Sequence, residues 1–127
     1  MQSKIQIFGS ESDIRTLYAT ADIVVSASIE PEAFGRTIVE AQAMKKLVLA
    51  TNIGGAAETI IDNENGFHTI PQDENDIANK LSYLLSIIGS KEADKIATSA
   101  RSSVSEKFSL QKMQEDTLKV YEELTSV

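Results

Sequence analysis

A turn that runs directly into a helix, within PEAFGRTIVEAQAM at Pro31–Met44, limits the folds open to this chain. Pro31 fixes its own φ and pushes Glu30 towards an extended conformation, so the preceding apolar segment ends in a loop. Gly35 permits backbone geometry or a close approach that a side chain would block. Apolar residues recur at helical spacing after it, which predicts a helix beginning at about Arg36. A strand, a glycine-containing turn and the positive end of a helix together favour phosphate binding.

Two glutamates flank this predicted anion site. Glu32 precedes the turn and Glu40 lies one turn into the helix, with seven residues between them. Carboxylates repel phosphate but accept hydrogen bonds from diols. A nucleotide sugar carries a ribose at one end of its diphosphate and a hexose at the other, so it would satisfy both carboxylates. The spacing therefore predicts a nucleotide-diphosphate sugar as the ligand.

The segment resembles the retaining glycosyltransferases of the GT-B type, above all glycosyltransferase family four, which is marked by Glu, seven residues and Glu on a strand, turn and helix. The likeness continues through KLVLATNIGGAAETIIDNENGF at Lys46–Phe67. It covers nearly the whole chain, which corresponds to about the last third of such an enzyme. Within the family, the segment Glu30–Met44 is similar to the lipopolysaccharide-core mannosyltransferase type. Most members of that family carry Gly-x-Pro after the helix, where this chain has Lys45-Lys46-Leu47.

The resemblance implies roles for particular residues. Glu32 would be the catalytic-site glutamate that holds hydroxyls of the donor sugar, and Glu40 would hold the ribose. Backbone amides would bind sugar hydroxyls and the diphosphate, and the paired-glycine loop would move towards the donor. No cofactor or metal is implied, and the chain has no Asp-x-Asp. The implied substrate-binding residues are Ala33, Phe34, Gly35, Arg36, Thr37, Ile38, Glu40, Gly54 and Gly55.

Simpler interpretations stand beside these roles. Thr37-Ile38-Val39-Glu40 is also a capping-box pattern, in which Glu40 would satisfy a backbone amide. Gly54 and Gly55 would also be needed by a tight turn with positive φ. Arg36 either adds a positive charge to the anion site or is a solvated surface residue. For the single histidine, His68, we expect a structural role.

Alternating elements predict an α/β fold: a Rossmann-like parallel sheet of about four strands with helices on both faces, forming one domain over residues 1–127. Ile14, Leu17, Tyr18 and Ala21 have the spacing of a helix between the first two strands. From Asp73 onwards the pattern is helical, with a final helix at about Leu110–Leu124. The predicted strands are Lys4–Phe8, Asp22–Ala27, Leu47–Ala50 and Phe67–Ile70. We expect Glu32 and Glu40 to border one cleft at the carboxyl ends of these strands, with Gly54-Gly55 opposite.

Composition narrows the class of partner. The formal net charge is −7, so a nucleic acid would be repelled on average, whereas local amides still bind one phosphate group. There is no cysteine, which excludes a disulfide framework and a thiolate zinc site. No apolar run approaches the roughly 20 residues of a membrane span, and nothing resembles a signal peptide. We therefore expect a cytoplasmic protein without a transmembrane segment.

The acceptor domain of complete enzymes has no counterpart in these residues. Without a second domain to orient an acceptor, we expect the isolated chain to be a catalytically poor donor-binding fragment. Alternatives are a subunit that needs a separately encoded acceptor domain, or a non-catalytic nucleotide-binding remnant. Met113, Val120, Tyr121 and Leu124 form an apolar stripe on the final helix, which would pack towards the missing domain. We therefore expect a homodimer or aggregate in isolation.

Overall fold

Strands and helices alternate along the first half of the chain, and three helices follow. A computed structural model describes residues 4–9 and 13–125. Its elements are α1 (Ile14–Thr20), β1 (Ile23–Ser26), α2 (Arg36–Ala43), β2 (Leu47–Thr51), α3 (Gly54–Thr59), β3 (Phe67–Thr69), α4 (Glu74–Ile87), α5 (Lys91–Lys107) and α6 (Leu110–Thr125).

The described residues form a parallel sheet of three strands in the order β1-β2-β3. Val24 pairs with Val48, and Leu49 pairs with Phe67. All five residues of β2 are buried, as expected for the central strand of a sheet covered on both faces. The α/β fold class is therefore confirmed, with three strands close to the predicted four.

The first predicted strand is wrong. The segment Lys4–Phe8 contains no β-strand, and Ile7 has 94% of its surface exposed. Its alternating apolar residues have the pattern of a strand, but a strand needs a neighbour that accepts its hydrogen bonds and covers its apolar face. No described strand lies beside it. The other three predicted strands are confirmed to within one residue at each end.

Helices cover both faces of the sheet, because alternate residues of β2 point to opposite sides. Val48 and Ala50 belong to one buried cluster, with Tyr18 of α1 and Ile38 of α2. Leu47 and Leu49 belong to the other, which also contains residues of β3, α4 and α5. These last members are Phe67, Leu84, Ile87, Ala93 and Ile96.

The last helix, α6, forms where the sequence predicted it but buries none of its residues. Met113 is 58% exposed and Leu124 is 71% exposed. The apolar stripe of α6 is therefore mostly uncovered among the described residues. No helix in the described part of the chain combines the length and apolar character that crossing a membrane requires.

Candidate functional site

The loops that follow β1 and β2 meet at the carboxyl ends of the strands. Thr51, the last residue of β2, donates from its hydroxyl to the carbonyl oxygen of Ser28 at 2.7 Å. This side-chain bond ties the loop after β1 to the end of the neighbouring strand. Open α/β sheets bind their ligands at this edge, where the sequence also predicted the site.

Glu32 lies in the loop between β1 and α2, and its side chain is held at one oxygen. The hydroxyl of Ser28 donates to its Oε1 atom at 3.0 Å. The Oε2 atom has no hydrogen-bond donor among the described residues. This free oxygen leaves Glu32, an exposed residue, able to accept a hydrogen bond from a ligand hydroxyl.

The paired glycines pack directly against the backbone of the Glu32 loop. The Gly55 amide donates to the carbonyl oxygen of Glu32 at 2.8 Å. A Cβ atom at Gly55 would lie 2.4 Å from the carbonyl oxygen of Phe34, and one at Gly54 would lie 2.5 Å from that of Glu32. Gly54 also has φ +56, so a tight turn with positive φ requires glycine there as well. Both the turn and the close approach of the loop therefore explain Gly54.

The N-terminus of α2 offers a run of unpaired amides. Gly35 is the N-cap residue, with φ 78 and ψ 61, and no side chain caps the helix. None of the backbone amides from Ala33 to Thr37 has a hydrogen-bond partner among the described residues. Unpaired amides at the positive end of a helix favour an anion such as a phosphate.

Glu40, in α2, accepts hydrogen bonds at both carboxylate oxygens. Tyr18 donates from its hydroxyl to Oε2 at 3.1 Å, and the Arg36 guanidinium donates to Oε1 at 3.3 Å. The capping-box interpretation is wrong, because the N-cap is Gly35 instead of Thr37 and the Glu40 carboxylate pairs with side chains. Arg36 is a solvated residue, with 84% of its side chain exposed.

Tyr18 is the site residue that sequence reasoning missed. The helical spacing of α1 marked it only as a core position, and it is indeed 6% exposed. Burial and the hydrogen bond to the Glu40 carboxylate raise the pKa of its hydroxyl, so this group remains a proton donor at neutral pH. A buried tyrosine hydroxyl normally has a hydrogen-bond partner, and that rule was the available signal.

Glu32 and Glu40 line two separate depressions in the described residues, whereas the sequence predicted one shared cleft with the glycines opposite. Glu32 borders a cleft of about 10 Å³, together with Gly35 and Ala56. Glu40 borders an open depression of about 540 Å³, together with Tyr18. The direct packing of Gly54-Gly55 on the Glu32 loop leaves no wider space on that side.

Two further candidate residues have side chains that point to structural contacts. The Phe34 ring packs edge-on against Phe108, with the ring centroids 5.1 Å apart. His68 hydrogen-bonds the carbonyl oxygen of Ala56 through Nε2 at 3.0 Å, in keeping with its predicted structural role. Within residues 4–9 and 13–125, no three Asp, Glu or His side chains lie close enough together to hold a metal ion.

The chain is similar in sequence and fold to several known glycosyltransferases. The family model described as "Glycosyl transferases group 1" matches residues 1–103. A crystal structure of a glycosyltransferase from Rickettsia africae superposes with a TM-score of 0.94 at 55% identity, covering 99% of this chain and 34% of that one. The structure of Anabaena HepE in complex with UDP superposes with a TM-score of 0.88 at 31% identity, covering 99% of this chain and 33% of that one.

A curated relative is the lipopolysaccharide 1,2-N-acetylglucosaminetransferase of Salmonella typhimurium. It is 36% identical over 101 residues, which are 79% of this chain and 26% of that protein. The chain thus spans between 26% and 34% of the length of these three relatives.

Proposed function

Since this chain belongs to the group 1 family of glycosyl transferases, we propose that it is the donor-binding part of an enzyme that transfers a hexosyl group from a nucleotide-diphosphate sugar. The acceptor is a lipid-linked or polysaccharide glycan of the cell envelope, and transfer takes place in the cytoplasm. The relative from Salmonella typhimurium, by its name a lipopolysaccharide transferase, supports this acceptor class. The observation that carries the proposal is the run of unpaired amides at Ala33–Thr37 between two glutamates.

The backbone amides of Ala33–Thr37 are the groups that would bind the diphosphate. Hydrogen-bond donors that are already oriented stabilise charge that develops on a leaving group without reorganising. When the bond between the anomeric carbon and the diphosphate breaks, the amides of Ala33–Thr37 and the positive end of α2 would stabilise the released negative charge. The oxygen of the acceptor hydroxyl forms the new bond to the same carbon, and its proton passes to the released diphosphate. We propose that this occurs without a metal ion and with retention of configuration, as the resemblance to family four implies.

The carboxylates of Glu32 and Glu40 are the groups that would bind the two sugars of the donor. The free oxygen of Glu32 would accept from hydroxyls of the hexose, and Glu40 would accept from the ribose. Since the two glutamates lie on either side of the amide run, the donor would extend across the N-terminus of α2. Closure of the space between the two depressions would then bring both glutamates to one ligand, with Gly54-Gly55 as a wall on the side of Glu32.

Titration of the labelled chain with UDP and with GDP tests the diphosphate site. The amide resonances of Ala33–Thr37 should shift first. Arg36→Pro removes one of these amides at the first helical position, where proline is tolerated, and Arg36→Ala is its control because it removes the same side chain and keeps the amide. Weaker binding by Arg36→Pro than by Arg36→Ala supports the proposal. Shifts confined to α4, α5 and α6 would contradict it.

UDP-glucose, compared with UDP, tests the sugar end of the site. Glu32→Gln should remove the additional affinity that the hexose gives, because the acceptor strength of a charged carboxylate is lost. Glu30→Gln is the matched control, since Glu30 is exposed and borders the same small cleft. If both variants keep the wild-type preference for UDP-glucose over UDP, Glu32 does not hold the hexose.

A partner-dependent subunit is the second candidate, and the absence of any buried residue in α6 favours it. A chimera tests it: the chain replaces the matching segment of the Rickettsia africae relative, which is 55% identical. Transfer activity in the chimera together with none in the isolated chain would support dependence on an acceptor-binding part. Activity of the isolated chain would refute it, and an inactive chimera that still binds donor would favour a non-catalytic remnant.

A further inference from the structure

The Tyr18 hydroxyl is a hydrogen-bond donor whose position is fixed by packing. The side chain of Tyr18 belongs to the buried cluster that also contains Ile38 and Ala41 of α2. Its hydroxyl lies 3.1 Å from Oε2 of Glu40, a residue 22 positions further along the chain. Because the ring is held on α1 and its acceptor is on α2, this hydrogen bond sets the direction of the Glu40 carboxylate relative to the core.

The Arg36 guanidinium does not hold Glu40 in the same way. Its side chain is 84% exposed, and its contact with Oε1 is an i,i+4 pair on the helix surface. Ion pairs of this kind contribute little, because water solvates both partners and the arginine side chain loses conformational freedom. Tyr18 is therefore the partner that restricts the carboxylate.

We propose that Tyr18 is a positioning residue that orients the Glu40 carboxylate to accept hydrogen bonds from two adjacent hydroxyls of the donor ribose. This proposal rests on the proposed function. An ionised carboxylate has about four acceptor positions, two on each oxygen. Tyr18 occupies one position on Oε2 and Arg36 occupies one on Oε1. One position remains on each oxygen, and two adjacent acceptors match the two hydroxyls of a cis diol.

The depression beside Glu40 gives a ligand access to those positions. Its volume is about 540 Å³, and both Tyr18 and Glu40 lie on its wall. Glu40 is half-buried, so part of its carboxylate reaches the surface of this depression. A nucleoside can therefore approach Glu40 while the Tyr18 ring stays in the core.

The test compares UDP with 2′-deoxy-UDP, which lacks one hydroxyl of the diol, and the GDP pair in parallel. Wild-type chain should prefer the ribonucleotide. Tyr18→Phe keeps the ring and removes the hydroxyl, and loss of one hydrogen bond should reduce this preference about threefold to tenfold. The ratio of the two affinities is insensitive to a general loss of stability, which affects both ligands equally. Tyr83→Phe is the matched control, because Tyr83 also donates to a glutamate, Glu92, on an exposed surface.

A double-mutant cycle shows whether Tyr18 acts through Glu40. The double variant Tyr18→Phe/Glu40→Gln should show the same preference as Glu40→Gln alone. If Tyr18→Phe does not fold, Tyr18→Leu provides the second measurement, since it keeps an apolar side chain in the core and also removes the hydroxyl. It should show the same loss of preference.

The outcomes separate this proposal from the proposed function. If wild-type chain prefers the ribonucleotide and Tyr18→Phe keeps that preference, Tyr18 does not position Glu40, and the donor site remains. The positioning role would likewise be overturned if the double variant lost more of the preference for the ribonucleotide than Glu40→Gln does. If wild-type chain binds neither UDP nor GDP, the proposed function itself is wrong and the role of Tyr18 is wrong with it.

Discussion

The backbone amide of Gly55 donates a hydrogen bond of 2.8 Å to the carbonyl oxygen of Glu32. This bond joins the start of α3 to the loop that carries the proposed sugar-binding carboxylate. It forms because both glycines lack a Cβ atom, which would otherwise overlap with the backbone of that loop. The position of Glu32 therefore depends on residues more than 20 positions away in the sequence.

Replacing either glycine should destabilise the domain and disturb the Glu32 loop. Gly54→Ala combines an unfavourable positive φ with steric overlap, and we expect a loss of about 2 to 4 kcal/mol in the free energy of unfolding. Gly89→Ala is the control, because Gly89 has φ +82 but no atom near its Cβ position, and it should cost only about 1 kcal/mol. Denaturant unfolding measures both. Equal costs for the two variants would show that close packing at Gly54 contributes nothing.

Lys45 occupies a backbone position that favours glycine. It follows α2 with φ 59. Lys45→Gly should raise the free energy of unfolding by about 0.5 to 1 kcal/mol, because the left-handed conformation costs glycine nothing while its greater freedom when unfolded offsets part of the gain. Lys46→Gly is the control, since Lys46 lacks a positive φ, and it should destabilise the chain. A loss of stability in Lys45→Gly would contradict this explanation.

The pKa of Tyr18 should respond to the charge on Glu40. Burial raises this pKa most, and the hydrogen bond to the Glu40 carboxylate raises it further. Glu40→Gln should therefore lower the pKa of Tyr18 but leave it above the ordinary value, because the ring stays buried. Ultraviolet titration of tyrosinate, assigned with Tyr18→Phe, measures the change. In the control, Glu92→Gln should lower the pKa of Tyr83 instead, since the Glu92 hydrogen bond is the main cause of its raised value. If Glu40→Gln left the pKa of Tyr18 unchanged, the hydrogen bond between the two side chains would be absent in solution.

Asp76 should contribute to the loss of stability in acid. The Ile70 amide and the Thr69 hydroxyl donate to its Oδ2 atom and lower the pKa of this carboxyl. Its stabilisation is fully present above the ordinary pKa of 3.8 and is lost as pH falls through the lower pKa of the folded state. Asp76→Asn should make the free energy of unfolding less dependent on pH in this range. An unchanged pH dependence in Asp76→Asn would exclude Asp76 as a contributor.

The exposed stripe of α6 should promote self-association. Val120 is 54% exposed and Leu124 is 71% exposed, and an uncovered apolar surface favours contact with another copy. Sedimentation at increasing concentration should show a growing fraction of dimer or aggregate. Val120→Glu/Leu124→Glu should weaken association at least about tenfold, because burial of unpaired carboxylates is costly. The control Leu85→Glu, on the exposed face of α4, should leave the association unchanged. If the wild-type chain is a monomer at every concentration, the prediction is wrong.

Local rules determined the turn, the helix and the central strand. Pro31 and Gly35 restrict the backbone by their own covalent structure, and apolar spacing fixes one face of the following helix, so α2 begins at Arg36 as predicted. The continuous apolar run at Leu47–Ala50 requires cover on both sides, and β2 is buried throughout. The spacing between Glu32 and Glu40 is likewise visible in the sequence, and it indicated the resemblance to glycosyltransferases.

Contacts between distant residues determined the rest. Lys4–Phe8 has the alternation of a strand, but strand formation depends on a neighbouring strand that no local pattern specifies, and these residues are irregular. α6 has an apolar stripe that predicts a helix, but only packing decides whether that stripe is covered. Tyr18 and Glu40 meet because α1 and α2 both contribute to the buried cluster on one face of the sheet. The sequence thus supplied the chemical groups of the site, whereas the packing of helices on the sheet decided which groups touch, because hydrogen bonds and burial depend on distance in space and not along the chain.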